Sequence, residues 1–103
     1  MKKVLVMCKG TGQSIAFKKA TLEFTEKNTL DIEWIFANEN QYGEIVEKDN
    51  IDLVLISPEM LVVDAKVKKD LDLKGVKYYS AKGSDFGLRR IDTIVTAIKP
   101  LLG

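Results

Sequence analysis

The chain has 103 residues, 46% hydrophobic and 30% charged, with 16 basic against 15 acidic side chains and a formal net charge of +1. That length supports one domain over residues 1–103 around a single core, and so even a charge gives no reason to expect nucleic acid or an anionic membrane as a partner. There is no histidine and one cysteine, Cys8, which excludes an internal Ser-His-Asp triad, a Cys-His dyad, a His-ligated zinc, an intramolecular disulfide and a Cys-x-x-Cys pair.

The first predicted element is a strand at Lys3-Val4-Leu5-Val6-Met7, a continuous apolar run expected of a strand covered on both faces. Met1-Lys2-Lys3 followed by Val4 to Cys8 is too short for a signal peptide, and no apolar run approaches the ~18 residues of a spanning helix. A single-cysteine chain also fits a reducing, cytoplasmic setting. The strand stops at the small, polar loop Cys8 to Ser14. A helix follows from about Gln13 to Lys27, with Ala16, Ala20 and Phe24 at i, i+4, i+8 and Phe17 and Leu22 broadening that face.

Leu30 to Phe36 alternates and predicts a strand with one partly wet face, on which Trp34 is a core residue. A short helix is expected around Gly43 to Lys48. Leu53-Val54-Leu55-Ile56 is the next buried strand, closed by Ser57-Pro58. Met60 to Leu71 is helical in composition without a clean apolar face; Lys66, Lys68 and Lys69 suit its solvated carboxyl end, and Gly75 terminates it. Val76 to Tyr79 is a short strand whose tyrosines pack at a sheet edge, and Ser80 to Gly87 is a polar loop. Ile91, Ile94, Val95, Ile98 and Leu102 mark the last helix, which Pro100 frays. Strand and helix alternate about four times, the pattern of an α/β sandwich with a parallel sheet covered by helices on both faces.

Open parallel sheets bind ligands beyond the carboxyl ends of their strands, and Cys8 stands at such an end. Gly10 and Gly12 let the backbone curl so that amide N–H groups point inward, and the helix starting near Gln13 or Ser14 adds its positive end. Such a loop suits a phosphoryl group, and its field is expected to lower the thiol pKa of Cys8, with the adjacent Lys9 either adding to that field or pointing into solvent. The plainer reading is that Cys8 is a small buried hydrophobe, since free cysteine is often that.

Rival loop chemistries lack their residues. A dinucleotide loop needs a third glycine where Ile15 stands, and a Walker loop needs Gly-Lys-Ser/Thr. A cysteine phosphatase needs Cys-x5-Arg, whereas the sixth residue after Cys8 is Ser14. What survives is a thiol that holds a phosphoryl group and passes it on. Two alternatives stay open: a low-molecular-weight phosphatase-like hydrolase, and a non-catalytic regulator, which a thiol titrating near its free value would favour.

The stretches Val4-Leu5-Val6-Met7-Cys8, Cys8-x-Gly10-x-Gly12-x-Ser14, Ala37-Asn38-x-x-x-Tyr42-Gly43 and Asp52-Leu53-Val54-Leu55-Ile56-Ser57-Pro58 resemble the IIB subunit of the lactose/cellobiose class of the sugar phosphotransferase system, in its lactose-like branch. The resemblance implies a three-layer sandwich with a four-stranded parallel sheet. It implies that Cys8 takes a phosphoryl group from a phosphohistidine of the IIA partner and passes it to a sugar held by the membrane-embedded IIC partner. Lys9, Gly10, Thr11, Gly12, Gln13 and Ser14 would form the phosphoryl-binding loop, with no cofactor and no metal. Members commonly carry glutamine after the proline that ends the third strand, where this chain has Glu59. A carboxylate there repels a phosphoryl group, so Glu59 is expected to face away or to meet a partner, with Pro58 and Met60 beside it on the partner surface. Met60 and Leu61 could form an apolar rim for a partner or equally pack in the core, and Arg89 and Arg90 could approach the phosphoryl group or an acidic partner, with plain surface solubility as their default role.

Overall fold

The computed structural model describes residues 1–102. It has four strands, β1 (Lys2–Met7), β2 (Ile32–Ala37), β3 (Leu53–Ile56) and β4 (Tyr78–Ser80), and five helices, α1 (Gly12–Lys27), α2 (Tyr42–Lys48), α3 (Asp64–Lys74), α4 (Gly83–Gly87) and α5 (Ile91–Ile98). The strands form one parallel sheet in the order β2-β1-β3-β4. The expected α/β architecture, with helices on both faces, is the observed one.

Side chains alternate across a strand, and β1 shows how this builds two half-cores. Val4 and Val6 face α1, α4 and α5, packing with Phe17, Phe86, Ile94 and Ile98. Leu5 and Met7 face α2 and α3, packing with Tyr42, Val67 and Leu71. Because both faces are covered, β1 from Val4 to Met7 and β3 from Leu53 to Ile56 are apolar and buried. The edge strand β2 is only partly covered, and Trp34 there packs on the core while its Nε1 donates to Thr25 Oγ1 at 2.7 Å.

Five local expectations are corrected. Leu22 does not join the buried face of α1; it is 45% exposed, and the buried stripe is Ser14, Phe17 and Thr21. Thr21 tolerates full burial because its hydroxyl donates to the Phe17 carbonyl at 2.8 Å. The helix expected from Met60 begins only at Asp64. Pro58–Met60 is instead a 3-10 turn, and Met60 is completely buried in the core, so it is not a partner-surface residue. Lys66 consequently lies in the first turn of α3 and Lys68 and Lys69 in its middle, with Lys68 paired to Asp64 at 2.8 Å; Lys74 occupies the last turn. The polar loop after β4 contains α4, anchored by Phe86 stacked on Phe17 with ring centroids 4.5 Å apart. The tail does not fray at Pro100: it tightens into a 3-10 turn, Lys99–Leu102, that buries Leu102.

The strand order fixes where a site can form. From β1 the chain crosses to β2 on one side, and from β3 it continues to β4 on the other. The neighbouring strands β1 and β3 therefore send their following segments apart, leaving a crevice at their carboxyl ends. The segment after β1 begins with Cys8; the segment after β3 is Ser57-Pro58-Glu59.

Candidate functional site

The backbone of Cys8 is pinned on the β2 side, where its N–H donates to the Ala37 carbonyl at 2.9 Å. On the other side the Ser57 N–H donates to the Met7 carbonyl at 3.2 Å. Cys8 thus continues the sheet by one residue before the chain turns, and its side chain is half-buried. The turn is made at Gly10, whose φ of +79° lies in the left-handed region. Gly12 has no such conformation, and the space where a Cβ would stand is open. Of the two glycines expected to curl the loop, only Gly10 does.

Thr11 caps α1. Its Oγ1 accepts from the Ser14 N–H at 3.3 Å, and the Ser14 hydroxyl donates back to the Thr11 carbonyl at 3.0 Å. This reciprocal pair lets Ser14 be buried and brings it to the sulfur, together with the Gly10 N–H. The single Ser14 proton can serve the Thr11 carbonyl or a negatively charged sulfur.

Glu59 does not face away. Its Oε1 accepts from the Lys9 N–H at 2.9 Å, and its Oε2 accepts from the Thr11 hydroxyl. A carboxylate repels a phosphoryl group, yet the loop has donors of its own that a carboxylate can accept from, and the crevice between β1 and β3 brings Glu59 to them.

The thiol expectation is overturned as well. Burial pushes the Cys8 pKa up; the Gly10 N–H lowers it, Glu59 raises it further, and the Ser14 hydroxyl and Lys18 lower it without reversing the sum. The loop supplies the expected donors, but half-burial beside a carboxylate outweighs them.

A cavity of about 220 Å³ opens beside the sulfur on the β2 side. Cys8, Lys9, Gly10 and Ser14 form one wall, Ile15 and Lys18 of α1 another, and Phe36, Ala37, Asn38 and Gln41 the third. Lys18 is held there with its Nζ 5.3 Å from the centre of the Phe36 ring. Gln41 Oε1 accepts from the Asn38 N–H at 3.0 Å and steadies the turn after β2. Thr11, Gly12 and Gln13 lie off this cavity, so the loop has two sides: one open, one engaged by Glu59.

Lys18 is the cation missed in the sequence. It lies four residues after Ser14, one helical turn along the same side of α1, and that spacing was a usable signal. Arg90 is engaged by the buried Asp85 at 3.9 Å, and Arg89 lines a separate depression with Lys27 and Asp92. Pro58 opens the 3-10 turn and is partly exposed, and Leu61 beyond it is 81% exposed.

No protein-family model and no curated protein matches the sequence. Solved structures do. The lactose-specific IIB component domain of the phosphoenolpyruvate:carbohydrate phosphotransferase system from Streptococcus pneumoniae superposes with a TM-score of 0.72 at 19% identity, covering 92% of this chain and 95% of that one. The cellobiose-specific phosphotransferase IIB component from Borrelia burgdorferi gives a TM-score of 0.79 at 13% identity, covering 98% of this chain and 91% of that one. The chain has the fold of these lactose- and cellobiose-specific IIB domains over nearly its whole length.

Proposed function

We propose that the protein is a phosphocarrier of the sugar phosphotransferase system, with Cys8 as the residue that carries the phosphoryl group. One observation carries this: the only thiol of the chain stands at the crevice between β1 and β3, with the Gly10 N–H and the Ser14 hydroxyl at its sulfur and an open cavity beside it. That both fold neighbours are sugar-specific IIB components supports the same role. At about 220 Å³ the cavity is smaller than the ~300 Å³ at which small-molecule pockets begin, which suits a group presented by a partner better than a free sugar.

In the first step the sulfur attacks the phosphorus of a phosphohistidine on a IIA partner. The S–P bond forms, the P–N bond breaks with its electron pair going to the imidazole nitrogen, and the thiol proton ends on that nitrogen. The donors at the sulfur stabilise the charge on the phosphoryl oxygens, and Lys18 offsets part of the remainder. In the second step a sugar hydroxyl, presented by a membrane IIC partner, attacks the phosphorus. The S–P bond breaks, its electron pair returns to sulfur, and the hydroxyl proton restores the thiol. A thiol held protonated until the donor arrives is compatible with this sequence, because the departing imidazole accepts the proton.

Incubation with the general phosphotransferase components and a IIA of the lactose/cellobiose class tests the role. Mass spectrometry is expected to find one phosphoryl group on wild type, on Cys8, and none on Cys8→Ser. An unmodified wild type would overturn it. A second reading, a partner-binding module without transfer, is favoured by the raised Cys8 pKa, and the same experiment separates the two. Hydrolysis is disfavoured by Ser14 where a phosphatase needs arginine, and by Glu59 at the loop.

A further inference from the structure

We propose that Glu59 is a positioning residue that holds the unloaded loop by standing in for the anion, so that loading Cys8 requires its carboxylate to give up the Lys9 N–H, the Thr11 hydroxyl, or both. That the displacing anion is a phosphoryl group on Cys8 rests on the carrier role; the hold on the loop does not.

The geometry carries the inference. Two oxygens of one carboxylate meet two donors of one loop, one accepting from the Lys9 N–H at 2.9 Å and the other from the Thr11 hydroxyl. These residues flank Gly10, where the loop turns, and Lys9 directly follows Cys8. Both contacts bridge segments about fifty residues apart in sequence, so they are tertiary and not a by-product of a local turn. Hydrogen bonds from an N–H or a hydroxyl to a carboxylate are of the stronger, charge-assisted kind. A second negative group arriving at the neighbouring sulfur repels the first, which weakens the hold of Glu59 on the Lys9 N–H and the Thr11 hydroxyl. The charged groups that bear on the sulfur are Glu59, after β3, and Lys18, on α1, with Lys9 on the cavity wall from the loop itself; the wall contributed by β2 and its following turn is uncharged.

Glu59→Gln keeps the length of the side chain and an oxygen that accepts from the Lys9 N–H, removes the charge, and puts an amide NH2 where the second oxygen accepts from the Thr11 hydroxyl. Alkylation of Cys8 by iodoacetamide is followed against pH, with folding checked by circular dichroism. The midpoint is expected to fall in Glu59→Gln, with a severalfold faster reaction at neutral pH. Inorganic phosphate is expected to protect Cys8 at severalfold lower concentration in the variant. Equal midpoints and equal protection in the two proteins would overturn the inference, because a glutamate whose charge neither bears on the sulfur nor opposes an arriving anion leaves both unchanged. Should the variant not fold, the Lys9 amide resonance of wild type is followed during a phosphate titration; it is expected to shift as its partner changes, and a static resonance would overturn the inference. None of these measurements needs a phosphoryl donor. A shifted midpoint with no phosphorylation of wild type would therefore sink the carrier role alone, and an unshifted one with phosphorylation intact would sink this inference alone.

Discussion

At φ +79° a side chain on Gly10 would push Cβ against the following carbonyl, a strain of about 1–2 kcal/mol. Gly10→Ala is expected to lower stability by about that amount in urea denaturation and to slow loading of Cys8, since the turn sets the loop. Gly12 begins α1 with open space around it, so Gly12→Ala is expected to stabilise by about 0.4–1 kcal/mol in the same measurement. The pair looks alike in sequence, and spacing alone gives no means of telling which of two glycines bears the turn. Cys8, Gly10 and Ser14 were legible because they sit at the end of an apolar run and before a helix. The role of Glu59 was not: its partners, Lys9 and Thr11, are separated from it by about fifty residues and meet it only through the strand order.

Between elements, the clearest joint is the one that clips α2 to α3. Tyr42 Oη donates to Asp70 Oδ2 at 2.8 Å, and Lys74 reaches Asp70 at 3.3 Å and Glu47 at 3.6 Å. Burial, then the bond to Asp70 and its charge, pushes the Tyr42 pKa up to about 12, while the bond from Tyr42 holds Asp70 below the usual carboxylate range. The folded pKa of Tyr42 lies above the unfolded value of 10.0, so its contribution is fully present below pH 10.0 and is lost as pH rises through about 12. Urea midpoints measured across that range are expected to fall. Tyr42→Phe is expected to cost about 1 kcal/mol at neutral pH and to flatten that fall. The joint between α1 and α4 is apolar: Phe86 is buried and stacked on Phe17. Phe86→Ala is expected to cost about 3–5 kcal/mol by thermal or urea unfolding. α4 escaped the sequence reading because it is five residues long with one large apolar side chain, too little for a periodicity to register. α5 was plain for the opposite reason, its four buried residues falling on one helical face.

For the molecule as a whole, the order β2-β1-β3-β4 places the most deeply buried strands at the centre and the partly exposed ones at the edges. The same apolar runs that announced β1 and β3 in the sequence dictate this, because only central strands covered on both faces can afford them. Native-state hydrogen exchange is expected to follow: amides of Val4–Met7 and Leu53–Ile56 should open only with global unfolding, and those of the three-residue β4 through smaller openings. Equal protection in β3 and β4 would contradict that ordering. What the sequence left undetermined at this scale was which helix covers which face. That is decided by the side to which each crossover returns, and it puts α1, α4 and α5 together against α2 and α3.

The raised thiol has a consequence for how the protein ages. Peroxide attack and disulfide exchange both proceed through the sulfur anion, and burial with a carboxylate nearby keeps that anion scarce at neutral pH. The half-buried cysteine is thereby sheltered from sulfenic acid formation, and the chain, which has no second thiol to resolve such damage, has the more use for that shelter.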